Sequence, residues 1–154
     1  MSITAREIAD AQKTWGDGIV RIGRTYTEKG DYRAAAKNHI DELYGYGSGE
    51  VLFKPTKAAD QQFRPTKQGA LSYFVGGDGD FPEDHGFAIN PWTNVRFENE
   101  GTYIDGNAAL AMGNYYFTTP EGEDVKVEYS FGYRKDDAGK LRIVLHHSSL
   151  PYKP

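Results

Sequence analysis

Residues 141–149 read LRIVLHHSS, a segment typical of a β-strand whose far end is polar. Neighbouring side chains of a strand point to opposite faces. Alternation therefore assigns one set of side chains to a common face: Leu141, Ile143, Leu145, His147 and Ser149. Because this face is first apolar and then polar, we expect it to cover the core and then reach a cavity. A plainer interpretation stays open, in which Ser149 caps the strand and His147 is a core histidine with satisfied hydrogen bonds.

Strand signals also precede this segment and make it the last strand of an antiparallel meander. Runs rich in β-formers, separated by turns that contain glycine, cover residues 93–104, 108–119 and 125–134. The dipeptide Asp105-Gly106 predicts a two-residue hairpin turn of type I′. The run Val51-Leu52-Phe53, which Pro55 ends, is a candidate for a fifth strand.

The N-terminal half predicts three helices. Thr4 and Glu7 form a capping box for the first, and Asp31 and Thr66 are suited to cap the second and third. A stripe with one polar member runs along the first helix: Ile8, Gln12, Trp15, Ile19, Ile22 and Tyr26. Helices that come first and strands that come later indicate an α+β fold, with three N-terminal helices packed on a curved antiparallel sheet. We expect residues 1–154 to form a single domain.

The composition argues against several classes of function. The chain has no cysteine, which excludes disulfides, thiolate nucleophiles and zinc–thiolate sites. A net charge of −4 with scattered Lys and Arg argues against a nucleic-acid partner. No apolar stretch approaches the ~20 residues that span a bilayer, and residues 1–7 contain no apolar segment of signal type. We therefore expect a cytoplasmic protein without a membrane partner.

The histidines do not predict a zinc site. There are four of them: His39, His85, His146 and His147. A zinc sphere needs ligands that converge on one point, and adjacent residues on a strand point apart, so His146 and His147 cannot bind one ion from one side. His39 is interpreted as a packed helix residue beside Ile40, while His85 lies in a loop from which it could reach inward. We expect no metal and no other cofactor.

The order of helices and strands, with GKLRIVLHHSS over residues 139–149, resembles the association (hub) domain of calcium/calmodulin-dependent kinase II. That domain has the cone-shaped nuclear-transport-factor-2-like fold. The ending His-His-Ser-Ser looks like the signature of the iota-class carbonic anhydrases. The segments VLFKPT, LSYF and FAINPW, at residues 51–56, 71–74 and 87–92, are similar to that family as well.

The likeness to the kinase hub fails at one point. The hub pocket is rich in arginine, whereas the corresponding strand positions here appear as the uncharged residues Asn114, Ser130 and Ser148. Hydroxyls and amides fit a small, weakly charged ligand better than a carboxylic acid.

The resemblance to the iota class implies reversible hydration of carbon dioxide to bicarbonate, in the branch that works without a metal ion. It implies that Thr56, Tyr73 and Ser149 hold water and bicarbonate, with His147 nearby to accept a proton. Ser148 is kept as the alternate for Ser149. Without the resemblance, Thr56 is equally well explained as a turn cap and Tyr73 as a core residue.

Two other functions stay open for the same fold. The first is a non-catalytic oligomeric hub or small-acid binding module, and the second is an isomerase or hydrolase, which commonly needs an Asp partner for its histidine. An exposed sheet face also predicts a homodimer or higher homo-oligomer, with Met112, Tyr116 and Val144 as contributors.

Overall fold

Each of the three helices begins at a side chain that accepts a hydrogen bond from the first turn. In the computed structural model, which describes residues 2–154, these helices are α1 (Ala5–Thr27), α2 (Tyr32–Leu43) and α3 (Lys67–Val75). Thr4 and Glu7 form the predicted capping box. Asp31 accepts from the amide of Ala34 at 3.0 Å, and Thr66 caps α3 in the same way. All three predicted caps are confirmed.

The strands form one sheet. They are β1 (Leu52–Lys54), β2 (Asn94–Asp105), β3 (Ala108–Thr118), β4 (Asp124–Lys135) and β5 (Leu141–Ser149). Their order is β1-β5-β4-β3-β2, in which β2 to β5 are the predicted antiparallel meander. The candidate fifth strand is present and lies parallel to β5, so the sheet is mixed. The α+β prediction is confirmed.

The buried stripe of α1 packs the helix onto the sheet. Ile8, Trp15, Ile19 and Ile22 are each at most 2% exposed, whereas Tyr26 is 43% exposed and packs on Tyr32. The polar member Gln12 is buried with its amide paired to that of Asn99 of β2, at 2.7 and 2.9 Å. A buried amide in this stripe is therefore satisfied rather than misplaced.

Gly18 lets α1 and α2 approach closely. A Cβ at this position would lie 2.1 Å from Nδ1 of His39. His39 is 5% exposed, so its predicted place as a packed helix residue is confirmed. The close contact explains why α1 accepts a glycine that costs about 1 kcal/mol of helix propensity.

The hairpin between β2 and β3 forms as predicted, but its turn type was wrong. Asp105 pairs with Ala108, which makes Gly106 and Asn107 the two turn residues. Gly106 has φ +60° and Asn107 has a negative φ. Positive φ at the first position alone is typical of a type II′ turn, whereas type I′ requires it at both.

Strand β5 contains a β-bulge at Val144. Gly132 pairs with Leu145 and Tyr133 pairs with Ile143, so Val144 has no partner of its own. Gly132 permits this geometry, because a Cβ there would lie 2.9 Å from Cβ of Leu145. The extra residue changes which side chains point inward along the rest of the strand.

The bulge overturns the predicted facing of the end of β5. After it, His146 and Ser148 are the buried residues, at 2% and 1% exposure. His147 is exposed, and Ser149 is half-buried on the outer side. The prediction that His147 and Ser149 face inward was wrong by one residue, because simple alternation does not count a bulged position.

Residues 2–154 include no helix that is both long and apolar enough to cross a bilayer.

Candidate active site

A chain of hydrogen-bonded side chains crosses the inner face of the sheet, beneath the helices. We call it the inner network. Its hydrogen-bonded members are Trp15, Tyr44, His146, Tyr115, Ser148 and Thr56, and Tyr73 lies at its Thr56 end, where the Tyr73 hydroxyl accepts from the backbone amide of Lys57. Most of these residues are nearly fully buried, and Thr56, at the end of the chain, is half-buried.

The parallel pairing of β1 and β5 assembles one end of the inner network. Phe53 lies beside His146 in the sheet register, and the chain leaves β1 towards Thr56. The Thr56 hydroxyl therefore reaches that of Ser148, with 2.6 Å between the two oxygens. Helix α3 adds Tyr73, whose hydroxyl accepts a hydrogen bond from the backbone amide of Lys57 at 3.2 Å. Hydroxyls from β5, from α3 and from the turn after β1 thus meet at one place.

Tyr115 of β3 links this end to the histidine. Its hydroxyl lies 2.5 Å from Oγ of Ser148 and 3.1 Å from Nε2 of His146. The other ring nitrogen of His146, Nδ1, lies 2.8 Å from the hydroxyl of Tyr44. Trp15 of α1 donates its indole N–H to that same hydroxyl at 3.0 Å. Both nitrogens of the imidazole are therefore engaged.

The His146 ring is enclosed by aromatic rings. It stacks between Phe53 and Phe131, with centroid distances of 4.7 and 4.1 Å. Burial lowers the pKa of His146 well below its usual value, and the neighbouring His39 and His147 lower it further. The ring is consequently a neutral imidazole near pH 7.

The tyrosines of the network are neutral donors. Burial raises the pKa of Tyr44, Tyr73 and Tyr115. A hydrogen bond with Ser148 opposes this rise at Tyr115, and the hydrogen bond from the Lys57 amide opposes it at Tyr73. Because the phenols keep their protons and His146 stays neutral, the inner network offers hydrogen bonds without net charge.

A buried ion pair holds the loops around these hydroxyls. Arg64 and Asp84 are joined by two hydrogen bonds of 2.7 and 2.8 Å, and both side chains have no exposed surface. Ser72 of α3 donates to the same carboxylate at 2.6 Å. The pair ties the segment that follows Thr56 to α3 and to the loop before β2. Sequence reasoning missed it, because no pattern connects residues that lie in separate loops.

A cavity of about 340 Å³ is lined in part by Tyr73. Its wall also contains Lys57, Glu83, His85 and Phe87, and the Tyr73 and Phe87 rings stack at 5.6 Å. Tyr73 belongs both to this cavity and to the inner network. Lys57 and Tyr73, which are hydrogen-bonded to each other, both line this cavity, so it lies next to the hydroxyl end of the network.

The structure separates the predicted site residues into two groups. Thr56 and Tyr73 lie together in the inner network, where the alternate Ser148 joins them. His147 and Ser149 line a different cavity, of about 420 Å³, on the outer face of the sheet. The expectation that these two share a pocket with Thr56 and Tyr73 was wrong.

The uncharged strand positions are separated in the same way. Asn114 and Ser130 line the outer cavity, whereas Ser148 points inward. The three therefore do not form one pocket. Sequence reasoning also missed His146 as an inward residue, together with its partners Tyr44 and Tyr115. The available signal was Gly132, since a glycine inside a strand often marks a bulge.

Among residues 2–154, no group of three or more His, Cys, Asp or Glu side chains is arranged to hold a metal ion. His146, the most central of the histidines, has tyrosine hydroxyls at both ring nitrogens.

Comparison with known proteins places the chain among carbonic anhydrases. The profile of the metal-independent carbonic anhydrase family matches residues 6–150. The chain is 48% identical to the metal-independent carbonic anhydrase of Nostoc sp. strain PCC 7120, over 99% of this chain and 76% of that protein.

Solved structures agree. The crystal structure of an iota-carbonic anhydrase from a cyanobacterium, complexed with bicarbonate, superposes with a TM-score of 0.96 at 47% identity, covering 99% of this chain and 95% of that one. A calcium/calmodulin-dependent protein kinase II association domain from Xanthomonas campestris has a TM-score of 0.64 at 23% identity, over 99% of this chain and 91% of its own. The second likeness shows a shared fold.

Proposed function

The chain belongs to the metal-independent carbonic anhydrase family, and from that premise we propose that the reaction takes place at the hydroxyl end of the inner network. The protein interconverts carbon dioxide and bicarbonate without a metal ion. The observation that carries the site proposal is the meeting of the Ser148, Thr56 and Tyr73 hydroxyls beside a cavity open to solvent.

Hydration forms a bond between a water oxygen and the carbon of carbon dioxide, and the water gives up one proton. A bound zinc would lower the pKa of water to about 7. Without a metal, this site has to orient the water and stabilise the forming bicarbonate by hydrogen bonds. Thr56 and Tyr73 supply neutral donors for the oxygens that become negative as bicarbonate forms. The stacked rings of Tyr73 and Phe87 offer an apolar surface on which carbon dioxide can rest.

We propose that the released proton leaves through the cavity lined by Tyr73 and Phe87 rather than through His146. Both nitrogens of His146 are hydrogen-bonded, and burial holds the pKa of this ring well below neutrality. Such an imidazole is a weak proton acceptor. His147, for which the sequence suggested this role, lies on the outer face of the sheet. Solvent and buffer reach the site through the cavity beside Tyr73.

The adjacent serines of β5 give a matched test. Ser148→Ala and Thr56→Val each remove a hydroxyl at the proposed site, and we expect kcat/KM for carbon dioxide hydration to fall by about 10- to 100-fold. Ser149→Ala and His147→Ala change the outer face, so we expect them to stay within about twofold of the parent. Stopped-flow hydration assays in excess chelator measure all four.

Full activity in Ser148→Ala combined with a large loss in Ser149→Ala would contradict the proposed site. Activity that disappears on chelation and returns only with zinc would contradict the metal-free reaction. Absence of hydration at any pH would favour the non-catalytic hub.

We also propose a homodimer that forms through the outer face of the sheet. Large apolar side chains are exposed there, with Tyr103, Leu110 and Met112 at 65%, 53% and 57% exposure. With Leu145 they line a largely apolar groove. Of the predicted contributors, Met112 lies in this groove, while Tyr116 and Val144 are half-buried outside it. A contiguous apolar patch of this kind is typical of an interface.

Two further expectations remain proposals. One is a cytoplasmic location, which cell fractionation tests. The other is that residues 1–154 act as one domain, supported by a hydrophobic cluster that extends from Ile3 to Ile143. A single cooperative unfolding transition is the expected result.

A further inference from the structure

The inner network begins at a group that can only donate. The indole N–H of Trp15 points at the hydroxyl of Tyr44, and an indole nitrogen has no lone pair with which to accept. Within residues 2–154 the Tyr44 hydroxyl has one other hydrogen-bond partner, Nδ1 of His146. Tyr44 is 2% exposed, so water is not a ready alternative.

This arrangement selects one tautomer of His146. The Tyr44 hydroxyl has a single hydrogen. If Nδ1 carried the ring hydrogen, Tyr44 would accept from both neighbours and its own hydrogen would have no acceptor, which is costly in a buried place. If Tyr44 instead donates to Nδ1, every group is satisfied. The neutral ring of His146 then carries its hydrogen on Nε2.

The choice of tautomer sets the direction of each later hydrogen bond. Nε2–H donates to the hydroxyl of Tyr115, which leaves the Tyr115 hydrogen for Oγ of Ser148. Ser148, which now accepts from Tyr115, donates to Oγ1 of Thr56. The Thr56 hydrogen is left at the end of the chain, beside Tyr73. In every hydrogen bond of the inner network, the hydrogen therefore points from the α1 end towards the proposed site at Thr56.

We propose that Trp15 and Tyr44 are positioning residues for the reaction, which fix the Nε2–H tautomer of His146 and thereby align the hydroxyl hydrogens of the network, so that the last of them, on Thr56, points towards the substrate. This inference rests on the proposed site. A chain that ends in a donor matches bicarbonate, whose oxygens accept hydrogen bonds. The opposite tautomer would turn each hydrogen around and offer lone pairs to an anion.

Nuclear magnetic resonance of the protein labelled with ¹⁵N at histidine reads the tautomer without any activity assay. Long-range ¹H–¹⁵N correlations distinguish a protonated from a bare ring nitrogen, and replacing the other three histidines singly assigns the His146 signals. We expect Nε2 protonated and Nδ1 bare in the parent protein. Nδ1 protonated would overturn the inference, even in a fully active enzyme. Loss of the proposed function alone would leave this result unchanged.

The two tryptophans provide a matched pair for the kinetic test. Trp92 also donates its indole N–H, but to the carbonyl of Phe87 outside the network, at 2.8 Å. In Trp15→Phe the space that the indole leaves admits a water, which can accept the Tyr44 hydrogen. We therefore expect a second His146 tautomer and a fall in kcat of about fivefold to tenfold, the effect of one hydrogen bond, with KM less affected. In Trp92→Phe we expect the single parental tautomer.

A double-mutant cycle separates positioning from general structural damage. In a Ser148→Ala background the inner network is already interrupted at Ser148, so adding Trp15→Phe should lower kcat little further. Losses that simply add would overturn the inference. Tyr44→Phe interrupts the inner network at the next hydrogen bond, between Tyr44 and His146, and gives the same test if Trp15→Phe does not fold.

Discussion

His39 shows how a single buried side chain can set the acid stability of the protein. It is 5% exposed and packs against the rings of Trp15 and Phe74, at centroid distances of 5.9 and 5.8 Å. Its Nε2 has no hydrogen-bond partner among residues 2–154. Burial lowers the pKa of His39 to about 3, and the positive charge of Arg21 adds to this effect. The folded protein therefore holds this ring neutral.

This produces a definite dependence of stability on pH. Between the unfolded pKa of ~6.5 and the folded pKa of about 3, the unfolded chain binds a proton that the folded chain does not. The stability that His39 contributes is complete above pH ~6.5 and is lost as the pH falls, with a slope of up to ~1.4 kcal/mol per pH unit.

His39→Leu removes this titration. Urea unfolding of the parent and the variant at pH 6, 5 and 4.5 (about the range above most carboxyl titration) measures the two slopes. We expect the slope of the variant to be smaller by about one proton, since His146 still contributes. Equal slopes would show that His39 is protonated in the folded protein or shielded in the unfolded one.

At the scale of the element, local signals were sufficient to predict where most helices and strands lie. The capping residues Thr4, Asp31 and Thr66 act within one turn of their own position, so the sequence alone indicates them. The bulge at Val144 is different, because it depends on how two strands fit together. This is why the fold was predictable while the inward side of the end of β5 was not.

The same reasoning explains the site. Thr56 and Tyr73 were named through a family likeness, and simple alternation then placed His147 and Ser149, rather than His146 and Ser148, on the inner face of the sheet. The Nδ1 and Nε2 partners of His146 come from residues 102 and 31 positions away, a distance at which no sequence pattern acts.

Gly132 is expected to be indispensable to the packing of β5. A methyl group there would meet Cβ of Leu145 at 2.9 Å, so we expect Gly132→Ala to lower the free energy of unfolding by about 1–3 kcal/mol. Gly101 lies in β2 with nothing within 4 Å of its added Cβ, and Gly101→Ala is the control, expected to be neutral or slightly stabilising. Urea unfolding compares them. Equal effects would mean that Gly132 is not needed for close strand contact.

At the scale of the whole molecule, the proposed dimer should be sensitive to a charge placed on the outer face of the sheet. We expect Leu110→Lys to convert a dimer into a monomer, because a lysine ammonium in an apolar interface loses its hydration. Phe63→Lys alters a side chain that is 67% exposed in the loop before α3 and does not line the apolar groove, so it should leave the dimer intact. Light scattering coupled to size-exclusion chromatography measures both. A parent protein that elutes as a monomer, or a Leu110→Lys variant that stays dimeric, would contradict the proposal.

The parallel contact between β1 and β5 also has a consequence for how the protein comes to be active during synthesis. Thr56 and Ser148 are 92 positions apart, so their hydroxyls can meet only after the segment between them and β5 itself have been translated. At about 5–20 residues per second, this interval is on the order of 5–20 s. Joining such distant segments is entropically slow, and folding is expected to be slower than in a helical bundle of similar size. With the reaction at the proposed site, a nascent chain that has already formed its three helices is still inactive, and activity is expected only once β5 has joined the sheet.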